Sequence, residues 1–144
     1  MKTGENGKDL IKLFEGLRIK AYLCSAGVPT IGFGNTFYED GSKVKLGDTI
    51  TIERARELFE LLLPKYEKIV NSKVKRQLTQ NQFDALVSHT YNTGGSSTLF
   101  KLVENNAQIK DIENWWLNKY TTANGKKLQG LVNRRKKEFE LYLK

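Results

Sequence analysis

The N-terminal segment carries apolar side chains at helical spacing, with charged side chains between them. These apolar positions are Leu10, Leu13, Phe14 and Leu17. The spacing predicts a short amphipathic helix over roughly residues 8–16, with Gly16 as its natural stop. Glu15 would then lie in the last helical turn, where the negative end of the helix dipole disfavours a carboxylate and raises its pKa. A carboxyl group with a raised pKa suits general-acid chemistry.

Between Ala21 and Leu46 the pattern changes to short apolar segments that are interrupted by turn-forming residues. The interruptions are Ser25-Ala26-Gly27, Gly32, Gly34-Asn35 and Glu39-Asp40-Gly41-Ser42. Short runs rich in aromatic and β-branched residues with such breaks predict a small antiparallel sheet of two or three strands.

Helical spacing returns after Thr51 and continues to the C-terminus. Thr51 is expected to cap a helix that Pro64 kinks or divides. Thr79 and Gln82 have the spacing of a capping box, and the helix that follows them is expected to lie in the core. Three more helices are predicted, over roughly residues 98–104, around Trp115 and Trp116, and over roughly residues 128–142. A small sheet followed by a series of helices indicates an α+β fold.

The composition is that of a globular chain. Of 144 residues, 39% are hydrophobic and 28% are charged, which is enough apolar surface for one compact domain. Cys24 is the only cysteine, so the sequence excludes an internal disulfide and a multi-cysteine metal site, and we expect no metal and no cofactor.

No apolar run approaches the ~20 residues of a transmembrane helix. The N-terminus lacks the apolar stretch of a signal peptide, so the chain is expected to stay where it is made.

The chain is basic, with 24 Lys and Arg against 16 Asp and Glu, a net charge of +8. Such a charge favours attraction to a polyanion, which includes nucleic acid, an anionic membrane or a bacterial envelope. Seven of the cations lie between residues 126 and 144, and we expect them to form a solvated helix face. They are Lys126, Lys127, Arg134, Arg135, Lys136, Lys137 and Lys144. Nucleic-acid binding is not expected, because no recognised motif accompanies the charge.

Several motifs together resemble the phage-type lysozyme (endolysin) family. The first is the spacing of Glu15, Cys24 and Thr30, which is similar to the family's triad of Glu, Asp or Cys, and Thr. The others are Ala21-Tyr22, Ala26-Gly27-Val28 and the run from Thr30 to Thr36 in the hairpin; the run from Gln82 to Ser88 with Tyr91-Asn92-Thr93-Gly94; and the run from Gly130 to Arg135 with Glu138. Asn35 departs from the pattern, because the family often has His there. The similarity covers nearly the whole chain.

The resemblance implies a lysozyme-like α+β fold in a single domain, residues 1–144. A small antiparallel β-hairpin lobe, approximately residues 18–50, is expected beside a larger helical lobe, approximately residues 51–144 plus the N-terminal helix. The active site would lie in the cleft between them. The activity implied is hydrolysis of the β-1,4 bond between N-acetylmuramic acid and N-acetylglucosamine in bacterial peptidoglycan.

The resemblance also assigns roles to single residues. Glu15 is expected to protonate the leaving oxygen, with its pKa raised by an apolar wall such as Phe14 and Leu17. Substrate contacts are expected from four residues: Gly32, Gly34, Tyr91 and Asn92. An Asn before Gly-Gly is equally typical of a helix cap, so both roles stay open for Asn92.

Cys24 stands where an Asp is commoner in the family. A neutral thiol is a poor general base, and we expect nearby Glu15 to suppress its ionisation. Thr30 and the hairpin backbone would then carry more of the positioning of the attacking water, while Cys24 shapes the pocket or adds weak polarity. Inert packing of Cys24 and a covalent role for its sulfur are the alternatives.

The roles of two arginines and one histidine are also considered. Arg134 or Arg135 pairs with Glu15, or both are surface charges. His89 is the only histidine and lies on the expected core helix, which favours a structural role.

Two other functions compete with hydrolysis. A lytic transglycosylase attacks the same bond with one carboxylate and without water, and a cationic membrane-active protein would kill through its basic C-terminal helix. The expected partners are the peptidoglycan glycan strands and the anionic bacterial envelope, with the protein a monomer. A phage-encoded enzyme of this family would accumulate in the host cytoplasm until a holin releases it to the cell wall.

Overall fold

A computed structural model describes residues 1–144, and it confirms the predicted α+β class. The elements in chain order are α1 (Glu5–Glu15), β1 (Arg18–Leu23), β2 (Pro29–Gly32), α2 (Ile52–Lys73), α3 (Gln80–Thr93), α4 (Ser97–Glu104), α5 (Ile109–Asn118), β3 (Thr122–Ala123), β4 (Lys126–Lys127) and α6 (Gln129–Leu143). The chain divides into two compact units. The hairpin unit is Lys12–Pro64, and the helical unit is Met1–Ile11 with Lys65–Lys144.

The hairpin unit contains the two-stranded antiparallel sheet of β1 and β2, in which Tyr22 pairs with Thr30. The turn between the strands is closed by the Cys24 amide, which donates to the Val28 carbonyl at 3.0 Å. The register shifts in the middle of β1. There the Ile19 carbonyl accepts from the Ile50 amide at 2.8 Å, so the loop before α2 completes the pairing. The predicted small sheet is therefore confirmed with two strands.

A compact core holds the hairpin against α2 inside this unit. Ile31, Val44 and Leu58 are buried together, and Phe33 meets Phe59 edge-on with 5.6 Å between ring centroids. Thr51 caps α2 as predicted, because its Oγ1 accepts from the Arg54 amide at 3.0 Å. Buried apolar side chains from the hairpin region and from α2 thus hold the hairpin in place.

Helix α2 passes through Pro64 without ending, so of the two predicted effects of Pro64, a kink or a division, the division does not occur. Proline removes one intrahelical hydrogen bond, at a cost of about 3 kcal/mol in a helix interior. Apolar side chains on both sides of it are buried, among them Leu58, Phe59 and Val70. Their burial offsets the missing bond, since each fully buried side chain of this kind contributes about 1.5–3 kcal/mol.

The helical unit is built around α3, whose residues 83–91 are all buried. The predicted capping box is present, with both Thr79 and Gln82 contributing their side chains. Gly94 ends the helix in the left-handed conformation, at φ 85°, and its amide donates to the Thr90 carbonyl at 2.8 Å. Helices α4, α5 and α6 follow the sequence predictions closely. None of the helices has both the length and the hydrophobicity needed to cross a membrane.

One element was not predicted, the short hairpin of β3 and β4. Asn124 and Gly125 form its turn, both with positive φ, at 53° and 77°. An Asn-Gly pair is a strong signal for a two-residue hairpin turn, so the sequence did contain it.

His89 lies in the core of the helical unit, as predicted. It is 1% exposed and contacts three aromatic rings, those of Trp115, Trp116 and Tyr120, at centroid distances of 5.4–5.8 Å. Burial, followed by the charges of Arg135 and Arg134, lowers its pKa to about 2. His89 is therefore a neutral core residue.

Candidate active site

Glu15 is the last residue of α1, as the sequence predicted. Gly16 follows with φ at 71°, and its amide donates to the Lys12 carbonyl at 2.9 Å, which ends the helix. Only glycine adopts such a conformation at little cost. The Glu15 side chain is half-buried, and it starts from a rigid helix end.

The surface that meets the Glu15 carboxyl group is the backbone of Gly34. A Cβ atom at Gly34 would overlap Glu15 Oε1 and lie 3.0 Å from its Cδ, so any larger residue there would displace the carboxyl group. The expected apolar wall is not complete, because Leu17 is 39% exposed. The turn holding Gly34 is itself held by Asn35, whose Oδ1 accepts from the Phe33 amide at 3.2 Å. Gly32 is buried in the same turn.

Cys24 and Thr30 lie on one face of the hairpin. Thr30 pairs directly with Tyr22, and Cys24 follows Tyr22 by two residues, which brings it to the same side of the sheet. The Thr30 side chain is buried, and its hydroxyl donates to the Val28 carbonyl at 2.9 Å. The donated proton leaves the lone pairs of Thr30 Oγ1 available to accept a hydrogen bond.

The hairpin turn lowers the pKa of the Cys24 thiol. The main cause is a hydrogen bond from the backbone of Val28 to the sulfur, with smaller contributions from the Ala26 backbone and the Thr30 hydroxyl, while burial opposes them. The net shift is downward, opposite to the suppression of ionisation that was expected from Glu15. Hydrogen bonds donated to the sulfur favour its charged form.

Tyr22 connects the two halves of the candidate site electrostatically. Its pKa is raised, first by burial, and also by the negative charges of Glu15 and Cys24, while Arg18 opposes the shift from 4.4 Å above the ring. Glu15, Cys24 and Thr30 all lie in the hairpin unit, and the charges of Glu15 and Cys24 both raise the pKa of the Tyr22 phenol.

The remaining expected site residues, Tyr91 and Asn92, lie at the end of α3 in the helical unit. Tyr91 is 8% exposed, and its ring packs against Tyr66 with 4.7 Å between centroids. Asn92 is exposed, and its Oδ1 accepts from Arg135 Nη2 at 2.7 Å. Gly94 is the residue that ends the helix, so Asn92 is not its cap.

Arg134 and Arg135 are buried, so the expectation of surface charge is wrong for both. Arg134 Nε lies 3.2 Å from Glu138 Oε2, and Arg135 Nε lies 3.1 Å from Glu138 Oε1. Glu138 also accepts from Ser88 Oγ at 2.6 Å and from Trp116 Nε1 at 3.2 Å. These residues form a buried polar cluster, and the C-terminal helix is not the uniformly solvated cationic face that was predicted.

Arg135 is a residue whose role the sequence analysis missed. It reaches from the polar cluster to Asn92, an expected substrate contact. The available signal was the spacing of three residues from Arg135 to Glu138, which places an ion pair on one helix face.

Comparison with known proteins gives consistent matches over the length of the chain. The Phage lysozyme family model matches residues 12–138. An endolysin of Acyrthosiphon pisum secondary endosymbiont phage 1 is 36% identical over 151 aligned residues, covering 99% of this chain and 98% of the relative. An endolysin of Salmonella phage P22 is 40% identical over 113 residues, 78% of this chain and 77% of the relative. The solved muramidase domain of SpmX from Asticaccaulis excentricus is 35% identical, with a TM-score of 0.84, covering 99% of this chain and 98% of that one.

Proposed function

Because this chain belongs to the phage lysozyme family, we propose that it is a muramidase that hydrolyses the β-1,4 bond between N-acetylmuramic acid and N-acetylglucosamine in peptidoglycan. The observation that carries the proposal is Glu15, which ends α1 against the backbone of Gly34. The same hairpin presents Cys24 and Thr30 on one face. Glycoside hydrolysis needs these two components, a proton donor and a group that orients water.

Glu15 is the general acid in this mechanism. Its carboxyl proton passes to the glycosidic oxygen as the bond to the anomeric carbon breaks, and positive charge develops on the sugar ring. The resulting carboxylate stabilises that charge. Gly34 contributes by having no side chain, which leaves the space that the Glu15 carboxyl group occupies.

Thr30 and Cys24 orient the water that completes the reaction. The Thr30 hydroxyl has its proton directed to the Val28 carbonyl, so its oxygen accepts one hydrogen bond from water. The lowered pKa of Cys24 increases the thiolate fraction, which makes the sulfur a second acceptor and a weak base. Water adds its oxygen to the anomeric carbon and passes one proton to the Cys24 thiolate, after Glu15 has given its own proton to the leaving sugar.

The biological role that fits this activity is lysis of a bacterial host, and the relatives are phage proteins named endolysin. The protein would act as a monomer on the cell wall, after accumulating in the host cytoplasm until a holin releases it. A purely membrane-active role is less compatible with the fold. Arg134 and Arg135 are turned into a buried cluster, which removes them from the cationic surface that such a role needs.

The test is digestion of purified peptidoglycan with the native protein and with Glu15→Gln, followed by mass spectrometry of the new glycan ends. Native protein should produce reducing muramic acid ends, and Glu15→Gln should reduce their rate of formation about 10²- to 10⁴-fold, the usual contribution of a general acid. Glu53→Gln, at an exposed position on α2, is the matched control and should digest normally. Anhydro ends would indicate a transglycosylase instead, and full lysis by Glu15→Gln would rule out catalysis through this residue.

A further inference from the structure

Asn92 has an exposed side-chain amide that accepts a hydrogen bond from the buried guanidinium group of Arg135. Arg135 is 0% exposed, and its Nη2 donates to Asn92 Oδ1 at 2.7 Å. A guanidinium group carries only donors, so the Asn92 atom that faces it must be the oxygen. The amide NH₂ of Asn92 is therefore directed away from Arg135, and its orientation follows from chemistry.

Arg135 is itself held in place by the buried polar cluster. Its Nε lies 3.1 Å from Glu138 Oε1, and Glu138 accepts additional hydrogen bonds from Ser88 and Trp116. A rotation of Arg135 would leave buried charges without their partner, which is strongly unfavourable. The buried polar cluster thus fixes the Arg135 guanidinium group, which in turn orients the exposed Asn92 side chain.

The C-terminal end of α3 does not need the Asn92 side chain as a cap. Gly94 supplies the left-handed residue and the closing amide of α3. The Asn92 NH₂ group has no hydrogen-bond partner within the protein, and the side chain is exposed. A donor of fixed direction that the fold does not use is suited to an acceptor atom of a ligand.

We propose that Arg135 is a positioning residue that holds the Asn92 NH₂ group as a hydrogen-bond donor for the carbonyl oxygen of a saccharide N-acetyl group. This inference rests on the proposed function, because both sugars of the peptidoglycan strand carry an N-acetyl group. An amide carbonyl is the strongest neutral acceptor on such a sugar, and a hydroxyl is the weaker one. Since Arg135 orients the donor before binding, little side-chain freedom is lost when the saccharide arrives.

The variant Asn92→Asp tests the direction of this hydrogen bond. Aspartate has nearly the same shape and still places an oxygen toward Arg135, but it replaces the outward donor with an acceptor. The melting temperature should stay the same or rise, because the contact to Arg135 becomes an ion pair. The Kd for chitotetraose, measured by isothermal titration calorimetry in a Glu15→Gln background, should increase about tenfold, which corresponds to 1.4 kcal/mol.

Asn133→Asp is the matched control. Asn133 is exposed on α6, and its Oδ1 also accepts from a neighbouring side chain, Gln129 Nε2 at 2.9 Å, so the change in charge and shape is the same. Its Kd should stay at the native value. The inference is overturned if Asn92→Asp binds chitotetraose as well as the native chain, if both variants weaken binding equally, or if the native chain does not bind it at all. The digestion assay with Glu15→Gln judges the proposed function separately.

Arg135→Lys tests the positioning role itself, in a double-mutant cycle with Asn92→Ala. If Arg135 acts through Asn92, its replacement weakens binding in the native chain and has no further effect once the Asn92 amide is absent. An equal loss in both backgrounds would contradict the proposal. Circular dichroism checks that Arg135→Lys folds; if it does not, the comparison of Asn92→Asp with Asn133→Asp decides.

Discussion

At the scale of single residues, the Glu15 carboxyl group lies where a side chain at Gly34 would begin. We expect Gly34→Ala to displace Glu15 and to lower kcat on peptidoglycan by about 10²-fold, the usual effect of a displacement near 1 Å. Its φ of 77° should also cost about 1–2 kcal/mol of stability once a Cβ is present. Turbidity assays on cell walls and thermal unfolding measure the two effects.

Gly41→Ala separates the two causes. Gly41 has a similar φ, 87°, in the same unit, but a Cβ there would meet nothing within 4 Å. It should lose comparable stability and keep its activity. Equal losses of activity in the two variants would show that backbone strain, and not contact with Glu15, is responsible.

Cys24 should react with iodoacetamide at a lower pH than an ordinary cysteine. Its pKa is lowered chiefly by the Val28 backbone, so the thiolate persists to lower pH. The measurement is the rate of alkylation against pH, followed by mass spectrometry, with the midpoint compared with that of free cysteine near ~8.5.

Thr30→Val provides the internal comparison for this experiment. It removes the Thr30 hydroxyl, which makes a smaller contribution to the lowered pKa of Cys24, and keeps the side-chain shape. The alkylation midpoint should therefore move upward, toward that of free cysteine. A native midpoint at or above ~8.5 would contradict the stabilisation of the thiolate by the hairpin turn.

At the scale of elements, α2 continues through Pro64, although proline disfavours the interior of a helix. Pro64→Ala restores one helical hydrogen bond at an exposed site and should raise the free energy of unfolding by about 1–3 kcal/mol. Chemical denaturation measures the change. Lys68→Ala, also exposed on α2, should change stability by less than about 0.5 kcal/mol. A loss of stability in Pro64→Ala would mean that the fixed φ of proline matters more than the missing bond.

At the scale of the whole molecule, His89 links folding to pH. Its pKa is about 2 in the folded state and near ~6.5 in the unfolded chain, so between these values only the unfolded state binds the proton. The stability is fully present above pH ~6.5 and is lost as the pH falls below it, by up to about 1.4 kcal/mol per pH unit. Urea unfolding between pH 7 and 5 measures this slope.

His89 is the only histidine, so the slope belongs to one residue. In His89→Leu the stability should be nearly independent of pH across the same range, whatever its absolute value. A slope that survives in this variant would show that another group titrates there, and the burial of His89 would then not be the cause.

The sequence predicted the helix boundaries and caps well, because the signals for them are local. The stop of α1 at Gly16, the Thr51 cap and the capping box of Thr79 and Gln82 each depend on residues a few positions apart. The family resemblance likewise selected Glu15, Cys24 and Thr30 together. Pro64 shows the limit of such reasoning, since burial of distant side chains overrode its local preference.

What the sequence alone determined, therefore, was the α+β order, the family resemblance and the identity of the candidate acid. The tertiary structure decided the environments of these residues: the close approach of the Glu15 carboxyl group to Gly34, the hydrogen bonds that lower the pKa of Cys24, and the burial of Arg134 and Arg135. The physical reason is that side-chain identity and short-range spacing are written along the chain. Burial and electrostatic contacts depend on residues far apart in sequence, such as Ser88 and Glu138, which only the folded chain brings together.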